Sequence, residues 1–331
     1  MFKNINCKNL PSLRRNIVYQ FLYELLIVFI PLFTIPYVSR VLGAENIGLF
    51  SYTYAVANYF VLFANLGIKN YGSRTIAMVR NNKEELNRNF SEILSIHIIF
   101  SIIVIFVYLV LLFFFVEDNL VIFLIQSIYV FAAVFDINWF FFGIEKFKLT
   151  VGRNTLVKIL SVFLVLVFVK TQTDLWIYAL ILALSVFVGQ SVVWFALKQY
   201  VSWRRPSWAN MKQHIRPLFV LFLPILALSL YKYMDKIMLG SISSNVQVGF
   251  YENAEKIINV PMSLIMAFGV VLMPRIANMV TSKDKGEVFK LIDMSMEAVM
   301  LLAIAISFGL AGISFVLAPL FFGYEFEECG I

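Results

Sequence analysis

The chain has 331 residues, of which 61% are hydrophobic and only 14% charged, and its mean hydropathy is +0.84. A soluble domain carries about 25% charged residues, so a surplus of this size cannot be hidden in one water-soluble core and calls for a bilayer. The formal charge of +7 sits in short loops between apolar runs, which reads as membrane topology and not as a nucleic-acid surface; no nucleic acid is expected as a partner.

Nine stretches meet the requirement of roughly 20 apolar residues for a spanning helix: 17–38, 49–68, 91–116, 120–142, 154–170, 175–197, 217–239, 248–273 and 291–322. Lipid offers open backbone groups no partner, so the expected fold is an all-α, polytopic membrane helix bundle. The ten-residue alternation of a membrane β-barrel is missing from the pattern. The first stretch contains Glu24, Pro31 and Pro36 and has no small-x-small cleavage site after it, so it reads as a permanent helix and not as a signal peptide.

Basic residues set the orientation. The segment before the first stretch and alternate loops after it hold Lys and Arg in clusters (Lys69, Arg74, Arg80, Lys83 and Arg88 form one), whereas the opposite loops hold only Arg40 and Lys170. That asymmetry places the amino terminus in the cytoplasm of a multi-pass inner-membrane protein. Cys7 and Cys329 then fall on opposite sides and imply no disulfide. His97 and His214, without CxxC or HxxxH spacing, imply no metal; no P-loop is present, so ATP hydrolysis is not expected, and no cofactor is implied.

An internal repeat runs at an offset of about 201. Gly48 and Gly249 both enter a helix beside aromatic residues, and Arg74, Met78 and Val79 match Arg275, Met279 and Val280. Leu42-Gly43 and Leu239-Gly240 mark the preceding turns. Both units run in the same direction, as in a parallel repeat about the membrane normal. The expected organisation is 1–200 as a first six-helix unit, 201–216 as a cytoplasmic linker containing WRRPSW, and 217–331 as a partial second unit of three helices. Six helices followed by three suggest a shortened form of a longer transporter.

The segments SRVLGAENIGLFSYTYAV, FANLGIKNYGSR, FLPILALSLYKYMDKIMLG and GFYENAEKI resemble bacterial O-antigen and polysaccharide flippases of the multidrug, oligosaccharidyl-lipid and polysaccharide exporter superfamily. The resemblance implies alternating access between two halves and a polyprenyl-pyrophosphate-linked oligosaccharide as cargo. It also implies membrane lipid and polysaccharide polymerase machinery as partners. A drug exporter of the same superfamily shares the fold, and an acidic lumen would favour it. A membrane polymerase or ligase would need a large outer loop, whereas the outer loops here are short.

Charges inside the apolar stretches are the site candidates. Lys232, Lys236 and Lys256, with Arg40 from the first unit, could replace the hydration of a pyrophosphate. Glu24, Asp235, Glu252 and Glu255 are candidates for ion coupling. A structural reading stands beside each: the lysines could snorkel, Glu252 and Lys256 at i, i+4 could pair, and Glu24 could form a structural hydrogen bond near the inner interface. Lys158 reads as a snorkelling side chain within a turn of the cytoplasmic end. Asn58, Asn65, Asp136 and Asn138 read as polar glue between helices, and His97 as a packed histidine. No catalytic residues are expected. The prolines Pro31, Pro36, Pro224 and Pro261 supply places to bend.

Overall fold

The computed structural model describes the backbone of residues 10–281 and 285–330, and side chains chiefly over 33–263 (147 and 148 apart) and 288–330. The described residues form a helical bundle without strands. Seven described stretches are long and apolar enough to cross a bilayer: Phe33–Val79, Lys83–Phe115, Leu120–Gly143, Leu149–Phe168, Gln172–Leu197, Trp208–Ile242 and Val288–Phe322. The chain is therefore a multi-pass membrane protein.

The helix α1 (Leu10–Asn65) holds the first two expected spans as two arms meeting at Gly43, whose φ of 78° and ψ of 170° lie outside the helical region. Only glycine adopts such a φ without strain. The break exposes backbone groups that the helix would otherwise satisfy. Glu325 Oε1 accepts from the amide of Ala44 at 2.9 Å, and Asn46 Nδ2 donates to the carbonyl of Leu42 at 2.9 Å. The chain turns again at Leu66 and Gly67, both with positive φ, into the short helix α2 (Ile68–Val79). The exit read from the sequence as a loop is thus a helix with one buried side.

The helix α3 (Lys83–Phe115) starts eight residues before its apolar run, because Asn82 caps it by accepting from the amides of Glu84 and Glu85. Both are acidic first-turn residues, which complement the helix dipole. The fourth span is split into α4 (Leu120–Val134) and α5 (Asn138–Gly143), since Asp136 Oδ1 takes up the amide and side chain of Asn138 at 3.0 and 2.7 Å. The remaining helices are α6 (Phe147–Phe168), α7 (Leu175–Leu197), α8 (Trp208–Ile242, with Pro217 and Pro224 inside it), α9 (Asn245–Thr281) and α10 (Lys285–Phe322). Short 3-10 turns occupy Gln172–Asp174 and Tyr324–Gly330.

Two apolar cores sit at opposite ends of the bundle. At the end with the basic loops, Phe90, Ile93, Trp139, Phe140, Leu218 and Phe222 bring α3, α5 and α8 together. At the other end, Leu42, Ala44, Val169, Leu175, Phe322 and Phe326 do the same for α1, α6, α7 and α10. Between them large apolar side chains such as Phe106, Phe163, Phe195 and Phe308 are exposed, as suits surfaces that meet lipid.

Candidate functional site

The helices α8 and α9 are joined by the turn at Ser243 and Ser244, so the last turns of one lie beside the first turns of the other. This brings four of the charges noted in the sequence into one cluster. Lys236 Nζ lies 2.5 Å from Glu252 Oε2 and 2.7 Å from Glu255 Oε2, while Lys256 Nζ lies 3.1 Å from Glu252 Oε1. Lys236 is only 9% exposed, and an ammonium at that depth holds its charge only when its desolvation is matched by close carboxylates. Asp235 stands beside the cluster and accepts from the hydroxyl of Tyr251 at 2.7 Å.

The other candidates lie elsewhere. Arg40 donates to the carbonyl of Leu320 at 2.6 Å, one of the carbonyls that the end of α10 leaves without a helical partner. Lys232 is exposed, its ammonium 5.5 Å from the ring centroid of Tyr233. The side chain of Glu24 lies outside the described residues. Asn58 and Asn65 donate to Tyr54 and Val61 of their own helix, so the expectation that they join helices is corrected. Asn138 does join helices, donating to Gln190 of α7 at 2.8 Å and accepting from Arg153 of α6 at 3.0 Å. His97 is fully buried, and neither ring nitrogen has a hydrogen-bond partner among the described residues.

A cavity of about 280 Å³ opens between the two arms of α1, α6, α7 and α9. Its polar lining consists of Thr34, Ser39, Lys158, Ser161, Tyr178 and Lys256. The placement of Lys158 corrects the sequence reading. Because α6 begins at Phe147 and ends at Phe168, Lys158 sits half-way along it, about three turns from either end, and not within one turn of the basic end. Among the described residues no carboxylate lies within ion-pair distance of it. Two lysines at a cavity whose apolar walls carry four hydroxyl side chains can hold an anion, one of them shared with Glu252.

At the end of the cavity away from the basic loops, α1 and α9 close on each other. A Cβ on Gly48 would overlap the carbonyl of Asn245, and one on Gly249 would overlap the carbonyl of Ala44. Asn253 Nδ2 donates to Ser39 Oγ at 3.0 Å, both side chains being buried, and a Cβ on Gly240 would meet the ring of Tyr52.

The structure also builds a polar network that the sequence reading did not single out. His214 Nδ1 is 2.6 Å from the Tyr71 hydroxyl, His214 Nε2 is 2.9 Å from Glu92 Oε2, and Asn210 Nδ2 donates to Glu92 Oε1 at 3.1 Å. The available signal was Glu92 itself, a lone acid in the run FSEILSIH, whose apolar neighbours Phe90, Ile93 and Leu94 are all buried.

The family model described as polysaccharide biosynthesis protein matches residues 13–280. The chain belongs to this family. A protein of Escherichia coli (strain K12) named "Putative O-antigen transporter" is 27% identical over 285 residues, which cover 84% of this polysaccharide biosynthesis family chain and 68% of the relative. A protein of Shigella dysenteriae with the same name is 24% identical over 333 residues, covering 96% of this chain and 80% of the relative. No solved structure matches this chain.

Proposed function

We propose that the chain moves a lipid-linked oligosaccharide, carried on a polyprenyl pyrophosphate, across the cytoplasmic membrane, and that it does so as a transporter and not as an enzyme. The observation that carries this reading is the cavity flanked by Lys158 and Lys256. Lys236, Lys256, Glu252 and Glu255 are paired with one another, whereas Lys158 stands at the cavity half-way along α6 with no carboxylate within ion-pair distance among the described residues. An ionisable group at that depth is costly unless a ligand or cavity water compensates it, and a pyrophosphate is such a ligand. The names of the two relatives point the same way. In this reading Lys236 serves as the structural centre of the cluster, while Arg40 and Lys232 flank the route of the sugar. A cationic drug would meet two lysines and no carboxylate in the cavity lining.

Alternating access is supported by how the two units meet. The contacts of Gly48 with Asn245 and of Gly249 with Ala44 exchange when 201 is added to the first unit's numbers, and so do those of Ser39 with Asn253 and of Gly240 with Tyr52. Reciprocal contacts of this kind are what two parallel repeats about one axis produce. The end with the basic loops is read as cytoplasmic.

The test is complementation of a bacterium that lacks its surface-polysaccharide flippase. Lys158→Ala should abolish most of the restored polysaccharide, and Lys158→Arg should keep it. Wild-type polysaccharide from Lys158→Ala at equal membrane abundance would remove the cavity from the mechanism.

A further inference from the structure

The cavity between α1, α6, α7 and α9 has two chemically different ends. Its lysines lie deep. Lys158 is ten residues from the end of α6 at Phe168, and Lys256 is eleven residues from the start of α9 at Asn245, about 15 and about 16 Å along the helix axes. Its aromatic residues lie nearer the end away from the basic loops. Phe50 is six residues beyond the start of the second arm of α1 at Ala44, and Tyr178 is three residues beyond the start of α7 at Leu175, about 9 and about 4.5 Å. Both rings line the same cavity as the lysines.

These rings are held in place by their neighbours. Tyr178 and Phe50 meet edge to face with centroids 4.9 Å apart, Phe50 stacks on Tyr54 at 5.7 Å, and Tyr54 meets Tyr129 of α4 at 5.1 Å. Phe50 and Tyr54, four positions apart, share one face of α1, and Tyr129 is buried. Three helices thus fix the pair before any ligand arrives, so that binding has few protein side chains left to order.

Tyr178 also brings to the cavity a hydroxyl that has no hydrogen-bond partner among the described residues. The hydroxyls of Tyr37, Tyr59 and Tyr108, by contrast, donate to main-chain carbonyls. A polyprenyl tail would cover the two rings but leave the Tyr178 hydroxyl unmatched, which is costly. A sugar offers both an apolar face of C–H groups and hydroxyls that donate and accept. The volume of about 280 Å³ lies at the lower edge of the range of about 300–1,000 Å³ found for small-molecule sites. Room of that order serves one sugar beside a pyrophosphate, not a chain of sugars.

We propose that Phe50 and Tyr178 form a subsite for the first sugar of the cargo, the one bonded to the pyrophosphate, and that Tyr178 sets the preference for a sugar-bearing over a bare carrier lipid. The pyrophosphate sits between Lys158 and Lys256, and the sugar leads toward the end away from the basic loops. The subsite rests on the transport reading, since it takes the anion between the lysines to be the pyrophosphate.

The experiment measures binding of two probes to the full chain in lipid nanodiscs: a polyprenyl pyrophosphate bearing one hexose, and the same lipid without the hexose. Wild type should bind the sugar-bearing probe about tenfold more tightly, the worth of one good aromatic contact. Tyr178→Leu, which removes ring and hydroxyl, should bring the ratio of the two affinities close to one. Tyr178→Phe, which removes the hydroxyl alone, should fall between. A wild-type ratio of one, or a ratio unchanged in both variants, overturns the subsite. A second measurement needs only the wild-type chain. A diazirine on the hexose, photolysed in the complex, should attach within residues 47–50 or 178–182, and attachment confined to other parts of the chain also overturns the subsite. Failure of both probes to bind, or Lys158→Ala binding both as tightly as wild type, overturns the transport reading of the cavity instead.

Discussion

Lys236 on α8 and Glu252 on α9 lie 2.5 Å apart, and Glu255 closes on the same ammonium from one turn further along. The pairing joins two consecutive helices through charges that neither could bury alone. Removing one partner of a buried pair costs about 3–5 kcal/mol, because the other charge stays uncompensated. Lys236→Met should therefore lower the thermal midpoint in detergent sharply. The double variant Lys236→Met, Glu255→Gln, which leaves Glu252 paired with Lys256, should recover much of that loss. A single variant as stable as the wild type would show that water already reaches the cluster.

Gly48 and Gly249 permit the close approach of α1 and α9, each facing a backbone carbonyl of the other helix. Adding a methyl group where backbone stands in the way forces the helices apart and costs about 1–3 kcal/mol. Gly48→Ala and Gly249→Ala should each loosen this end, and because the contacts are reciprocal the two effects should be similar. Labelling of Ser39→Cys with a membrane-impermeant maleimide reports it: both variants should label faster than the parent.

Cys329 lies on the turn that follows α10, with its Sγ donating to the carbonyl of Phe250 at 3.4 Å. Burial, helped by the neighbouring charge of Glu328, pushes its thiol up to about 12. A raised value means that the neutral thiol is favoured in the folded protein. The stability this contributes is complete below the ordinary thiol range of about 8.5 and is lost as pH rises through the folded value. Maleimide labelling of folded protein near pH 8 should thus be slow at Cys329 and become fast in detergent that unfolds the chain. Equal rates in both conditions would contradict the half-buried placement.

The helices were legible where apolar length alone defines them. Residues 175–197 form α7 with the boundaries that hydropathy gives. The approach fails where polar residues begin a helix. Asn82 extends α3 outward from the apolar run, and α6 starts seven residues before its expected beginning, so Lys158 moves from near one end of its helix to the middle of it. Hydropathy registers contact with lipid, and a polar first turn, capped by Asn82 in α3 and uncapped in α6, makes none. The charged residues of α8 and α9 were visible as candidates, and the Glu252–Lys256 spacing already contained one of their pairs. The two-sided grip on Lys236 was not visible, because it depends on the rotation of one helix against another. Glu92 and His214 are 122 residues apart, and no local pattern records a contact of that range.

The break at Gly43 is completed by Glu325, which reaches the amide of Ala44 across 281 positions of sequence. A ribosome makes Glu325 long after Gly43, so during synthesis the corner between the two arms of α1 must wait for the 281 positions that separate Ala44 from Glu325 before its exposed amide is satisfied. Assembly of that end of the bundle therefore depends on a turn made after α10, and the closing contact between α1 and α9 can mature only after the helices made in between have been inserted.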